Sequence, residues 1–185
     1  GGGLAHFSGF APGTDALSVS GSTFVGNAKD NGMGGAILNN GGTATITNST
    51  FRDNATTDAY YPQGGAVALL SGVSATVDGS TFEGNRAENA NAWLARGGGL
   101  FVEDVQHVSV TDSTFLDNLA RGRNAYGGGA SRSVVYGNIF QPQDTTFSGD
   151  TFLDNRAVGT VSVAGGGGLN LGGVLGTTTI DDSLF

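Results

Sequence analysis

The stretch "DGSTFEGNRA" at 78–87 decides the fold, because near-copies of it recur along the chain. "SGSTFVGNAK" stands at 20–29, "TNSTFRDNAT" at 47–56, "TDSTFLDNLA" at 111–120 and "SGDTFLDNRA" at 148–157. Phenylalanine accordingly falls at 24, 51, 82, 115, 152 and 185. A second marker alternates strictly with it: "GGGL" 1–4, "GGAI" 34–37, "GGAV" 64–67, "GGGL" 97–100, "GGGA" 127–130 and "GGGL" 166–169. Counting from the first glycine divides 1–185 into units 1–33, 34–63, 64–96, 97–126, 127–165 and a partial 166–185. A period of about 30 residues is the mark of stacked repeats.

Aligned on the phenylalanine, the units show their physics. Five residues earlier stand Val19, Ile46, Val77, Val110, Phe147 and Ile180, and seven earlier Leu17, Ala44, Ala75, Val108, Thr145 and Thr178. Between them lie only Ser18, Thr45, Thr76, Ser109, Thr146 and Thr179. This period-two alternation predicts a strand with one buried face. The phenylalanine has the opposite parity, so a bend must intervene. Three residues before it stand Gly21, Asn48, Gly79, Asp112, Gly149 and Asp182, the residue types that best accept positive φ. The Gly-Gly segment supplies a further strand, with Ile37, Val67, Leu100 and Leu169 directed inward.

Each strand is too short to bury its face alone. Coiled at one turn per unit, like positions stack about 4.8 Å apart and build one column-shaped core. The expected fold is all-β: a right-handed parallel β-helix of about six rungs with three short strands per rung. A propeller or stacked hairpins would need about 40 residues and four strands per unit. Asn27, Asn54, Asn85, Asn118 and Asn155 form a second column beyond the phenylalanines, placed to hydrogen-bond the turns of neighbouring rungs.

Composition narrows the function. The 185 residues include 34 glycines, one lysine and no cysteine, and carry a formal charge of −8. No thiol chemistry and no disulfide is available. The acidic balance argues against nucleic acid, which asks for clustered Lys and Arg. No apolar run approaches the roughly 20 residues of a membrane span. The chain opens on a Gly-Gly strand and stops on the phenylalanine of "DSLF", with no polar cap at either end. Open rungs of this kind suggest one slice of a longer solenoid, or end-to-end self-association.

The pairing of "GGAI" with "FxxN" resembles the repeat of chlamydial-type polymorphic outer-membrane proteins, and the resemblance spans essentially the whole chain. It implies an autotransporter-like passenger on the bacterial outer surface or secreted, often adhesive. The membrane-embedded barrel of that family has no counterpart in these residues.

Chemistry is sparse. The outward positions of the Gly-Gly strand read Ala5, Leu38, Ala68, Phe101, Ser131 and Asn170, with no acid or base among them. A polysaccharide lyase or hydrolase of the pectin-degrading type, the alternative reading, needs carboxylates gathered on such a face. His107 is placed to neighbour Asp144, a pairing more typical of a solvated surface. Asp181 and Asp182 fall at a turn rather than in an active site. Asp112, Asp150 and Asp182 lie near one corner of successive rungs, an arrangement that could bind a calcium ion, although turn carboxylates more often bond their own backbone. No other cofactor is expected. The outward Ser/Thr rows resemble those of ice-binding β-helices, a minor alternative weakened by Ala16, Asp78, His107, Asp144 and Asp181 interrupting the flanking columns.

Charge and aromatics concentrate in the segments between each phenylalanine and the next Gly-Gly. Lys29, Arg52, Arg86, Arg96, Arg121, Arg123 and Arg156 lie there, leaving Arg132 as the eighth cation. Tyr60, Tyr61, Trp93 and Tyr126 lie there too. Exposed aromatics beside arginine are favoured at recognition surfaces. These segments are expected to be loops forming a ridge that binds a protein or glycan, built from Tyr60, Tyr61, Trp93, Arg96, Arg123 and Tyr126. Two other long loops place Phe7, Phe10, Tyr136 and Phe140 on a different edge. The expected role is a non-catalytic surface or secreted protein, adhesive or structural.

Overall fold

The computed structural model describes residues 1–8, 15–58, 60–134, 143–173 and 176–185. Phe10, Tyr136 and Phe140 lie outside the described residues. The chain coils into a solenoid of five complete rungs and a partial sixth, and its sheets are parallel throughout.

Three six- or five-stranded sheets enclose the core. The Gly-Gly sheet stacks Leu4–Phe7, Ile37–Asn40, Val67–Leu70, Leu100–Glu103, Ala130–Ser133 and Leu169–Gly172. The Ser/Thr sheet stacks Ala16–Ser20, Thr43–Thr47, Ser74–Asp78, His107–Thr111, Asp144–Ser148 and Thr178–Asp181. The Phe sheet stacks Thr23–Val25, Thr50–Arg52, Thr81–Glu83, Thr114–Leu116 and Thr151–Leu153. Ile37, Val67, Leu100, Ile46, Val77, Val110 and the central phenylalanines are buried in one continuous core.

The segments after the asparagines are not loops throughout, as the sequence led us to expect: Tyr60, Tyr61, Trp93 and Arg123 lie outside strands, but Arg96 and Tyr126 lie within them. They form an outer sheet of Ala28–Lys29, Ala55–Thr56, Arg86–Glu88, Leu119–Gly122 and Arg156–Gly159. A return sheet of Leu94–Arg96, Asn124–Tyr126 and Ala164–Gly165 doubles back against it. Among the described residues, the rungs from 64 to 165 therefore carry five strands each, not three. Ala95, Ala120 and Ala125, with Ala157, seal the two sheets into a thin fin. Alanine lets the two backbones approach closely, but it is a weak signature of a strand.

The corner residues adopt the conformation their types allow. Gly21, Asn48, Gly79, Asp112, Gly149 and Asp182 all have φ between 46° and 67°. A second left-handed column, Gly26, Asp53, Gly84, Asp117 and Asp154, lies two residues after the phenylalanine. In the Gly-Gly motif the first glycine turns left-handed, and the second passes another rung so closely that a Cβ at Gly65 would lie 2.0 Å from the Gly98 carbonyl.

Side-chain ladders run along the rod. Phe24, Phe51, Phe82, Phe115, Phe152 and Phe185 stack face to face at 4.7–5.1 Å between centroids. In the asparagine ladder, Asn85 Oδ1 accepts from the Asn54 amide and from Asn54 Nδ2, both at 3.0 Å. Asn85 Nδ2 in turn donates to Asn118 Oδ1 and to the Phe51 carbonyl, each at 2.9 Å. Every polar atom of this buried amide is thereby matched, which is what burial demands.

A serine ladder stands two residues before the phenylalanines. The Ser49 amide donates to Ser80 Oγ and the Ser80 amide to Ser113 Oγ, while each hydroxyl donates to the carbonyl two residues back. At 150 the ladder holds an aspartate, 1% exposed. Asp150 Oδ1 accepts the Ser113 amide at 2.8 Å, but Oδ2 is buried with no partner. Burial pushes this carboxyl up to about 6, against its amide hydrogen bonds and with Asp112 and Asp78 adding like charge.

Candidate ligand-binding groove

The return sheet lies over the outward face of the Gly-Gly sheet. Ala68, Phe101 and Ser131, expected to face solvent, are therefore buried on both sides. The fin does not close onto this face along its whole length. A groove of about 480 Å³ remains, with Trp93, Leu94, Arg96, Asn124 and Tyr126 on the return-sheet side and Ser133, Val134, Asn170 and Gly172 on the other.

Parallel register builds the return-sheet wall. Leu94 pairs with Asn124, Ala95 with Ala125 and Arg96 with Tyr126. The alanines point into the fin, so strand alternation turns their neighbours toward the groove. Trp93, 55% exposed, carries the Arg123 guanidinium over its ring at 5.3 Å. Asn124 Nδ2 donates to the Trp93 carbonyl at 2.9 Å, which fixes the two rungs' turns to each other. Arg96 sits 5.9 Å from the Phe101 ring centroid, and its Nη1 donates to Ser133 Oγ at 3.1 Å and Glu103 Oε2 at 3.5 Å. Burial pulls the Arg96 guanidinium below its usual range and pushes the Glu103 carboxyl up, the Arg96 charge opposing the latter.

Of the six residues singled out in the sequence, Trp93, Arg96 and Tyr126 line this groove, and Arg123 adjoins it through the Trp93 ring. Tyr60 and Tyr61 do not line it. They are exposed on the preceding rung, where Asp58 Oδ1 accepts both of their amides. The Tyr60 and Pro62 carbonyls accept the amides of Leu94 and Arg96, so these tyrosines extend the same wall toward the first rung.

The other candidate chemistry is dispersed. His107 Nδ1 lies 3.7 Å from Asp144 Oδ2, both side chains more than half exposed. Asp112 and Asp182 share the left-handed corner column, whereas Asp150 is turned into the serine ladder. Among the described residues, no three of His, Cys, Asp and Glu gather as a metal-ligand set. On the Ser/Thr sheet the central outward column Ser18, Thr45, Thr76, Ser109, Thr146 and Thr179 is continuous, as its register requires.

Arg132 is the residue that sequence reasoning missed. It occupies the inward position equivalent to Val102 and is 1% exposed. Its guanidinium donates to the Val105 carbonyl at 2.6 Å, to the carbonyl and Oε1 of Gln143, and to Thr145 Oγ1, while Nε has no partner. Burial lowers its pKa to about 10. A signal was present: the same rung replaces the apolar residue of the facing column by Thr145.

A parallel β-solenoid with an aromatic-walled groove under a lateral fin is the class of protein that fold and site define. The chain belongs to the right-handed β-helix family, whose model, described as "Right handed beta helix region", matches residues 10–174. No curated protein and no solved structure matches the chain. No helix among the described residues is long and apolar enough to cross a membrane.

Proposed function

We propose that this β-helix is a non-catalytic binding module of an extracellular or outer-surface protein, adhesive in role, and that the groove beneath the return sheet takes a protein or glycan ligand. The observation that carries this reading is the exposed Trp93 under Arg123, set beside Tyr126 and Arg96 in one concave site. A planar aromatic buries large area at low entropic cost, and guanidinium forks orient polar ligand groups. Glu103, the carboxylate that contacts this wall, is held in an ion pair with Arg96 rather than offered as a general acid or base. That favours binding over the bond cleavage a pectin-degrading β-helix performs.

Replacing Trp93 and Tyr126 by alanine is expected to abolish adhesion to cells and to immobilised glycans while leaving the melting temperature near the native one. Both side chains have solvent-facing surface, so the core does not depend on them. Unchanged adhesion would remove the groove from consideration, and appearance of cleaved polysaccharide ends on incubation with uronate polymers would establish the enzymatic reading instead.

A further inference from the structure

One face of the outer sheet is sealed by alanines, and the other meets solvent. In the outward rows Arg86, Leu119 and Arg156 are register partners, as are Glu88, Arg121 and Val158. Arg86 Nη1 lies 3.7 Å from Glu88 Oε1, whereas Arg121 and Arg156 have no carboxylate at ion-pair distance among the described residues. Two depressions adjoin here. The larger, about 400 Å³, lies between Arg86, Arg156, Asp117 and Asp154, and the smaller, about 250 Å³, between Arg121 and Val158. Leu119 and Arg156 border both.

We propose that this face binds an acidic polysaccharide carrying one carboxylate per disaccharide repeat. The site is separate from the groove and does not depend on the reading of it. Arg86 and Arg156 stand two rungs apart, about 9.6 Å at β-strand spacing, which is the length of a disaccharide. Guanidinium forks grip carboxylates bidentately, so successive acidic sugars meet successive arginines. Leu119 lies between the two forks, and Val158 beside Arg156 on the same strand, as aliphatic platforms for the apolar faces of sugar rings. Asp117 and Asp154 at the edge of the larger depression accept hydrogen bonds from hydroxyls. The same carboxylates, with Glu88, repel a uniformly charged phosphate backbone. An extended acidic peptide spaces its same-side carboxylates about 6.8 Å apart, out of step with the rungs.

The test is calorimetric titration of the whole chain with a hyaluronan octasaccharide, beside a neutral malto-oligosaccharide of equal length, an oligo-glutamate and a heparin octasaccharide. Hyaluronan is expected to bind and the neutral sugar and oligo-glutamate not to. Arg86→Ala combined with Arg156→Ala should weaken hyaluronan at least ten-fold, and Arg→Lys at both should still weaken it several-fold, because charge survives but the fork is lost. Both side chains are exposed, so unchanged melting of these variants checks the fold. Absence of hyaluronan binding, insensitivity to the double alanine change, or equal binding of oligo-glutamate overturns the proposal. So does a lysine variant that matches the native chain while heparin binds tightest, since that pattern is diffuse charge attraction.

Discussion

Asp150 makes the sharpest prediction, because the five serines in the same column state what the position requires. Ser22, Ser49, Ser80, Ser113 and Ser183 each donate Oγ–H to the carbonyl two residues back, at 2.8–3.0 Å. A carboxylate at 150 accepts from the Ser113 amide as they do, yet it has no proton to give, and Oδ2 stays buried without a partner. The folded chain therefore holds this carboxyl at about 6, against an ordinary value near 3.8. A raised acid pKa means that the folded state binds the proton more tightly than the unfolded chain. Stability is accordingly unaffected below about pH 4, falls as pH rises from about 4 to 6, and stays reduced above that. At about 1.4 kcal/mol per pH unit, the loss above pH 6 is at most about 3 kcal/mol, and less if a water reaches the carboxylate. Asp150→Ser restores the column's own donor and is expected to stabilise the chain by about 1–3 kcal/mol at pH 8. At pH 4 the gain should nearly vanish. Urea denaturation of both proteins at a series of pH values measures this directly. A serine variant no more stable than the native chain at pH 8, or an advantage that does not shrink toward pH 4, would refute the argument.

Phe115→Ala, at the middle of the stack, is expected to cost about 3–5 kcal/mol, read as a lowered melting temperature; native-like melting would mean that the column is not the core. Asn85→Asp should lose about 2–3 kcal/mol at pH 7, since its new oxygen faces Asn118 Oδ1 and the Phe51 carbonyl, and should regain part of this on acidification when a proton can be donated. Thr145→Val removes an acceptor from the buried Arg132 and is expected to cost about 1–3 kcal/mol. Adding Arg132→Leu should return the rung to native stability or above it, because the apolar pair then matches Val102 and Val108 of the neighbouring rung. A double variant less stable than Thr145→Val alone would show that the guanidinium network holds the rung together by itself.

What the sequence determined is whatever repeats once per turn. In a parallel coil each residue's closest neighbours are its own equivalents one rung away, so a column read from an alignment is already a contact. The phenylalanine stack, the asparagine ladder and the left-handed corners at Gly21, Asn48 and Asp112 were all legible for that reason. The resemblance to a surface-protein repeat added an expected role, which the family match, being a match to the fold, leaves as a proposal. Contacts within a rung follow no such rule. Nothing in the spacing of Ala95, Ala120 and Ala125 says that two segments after the asparagine corner double back on each other, because alanine is small enough for a strand, a turn or a loop. That folding back covers Phe101, brings Arg96 to Glu103 and leaves the groove open beside them. Arg132 is the same case in the core. Its parity pointed inward, but a charge is buried only where enough acceptors converge on it, and Val105, Gln143 and Thr145 converge only through the tertiary turn that joins them.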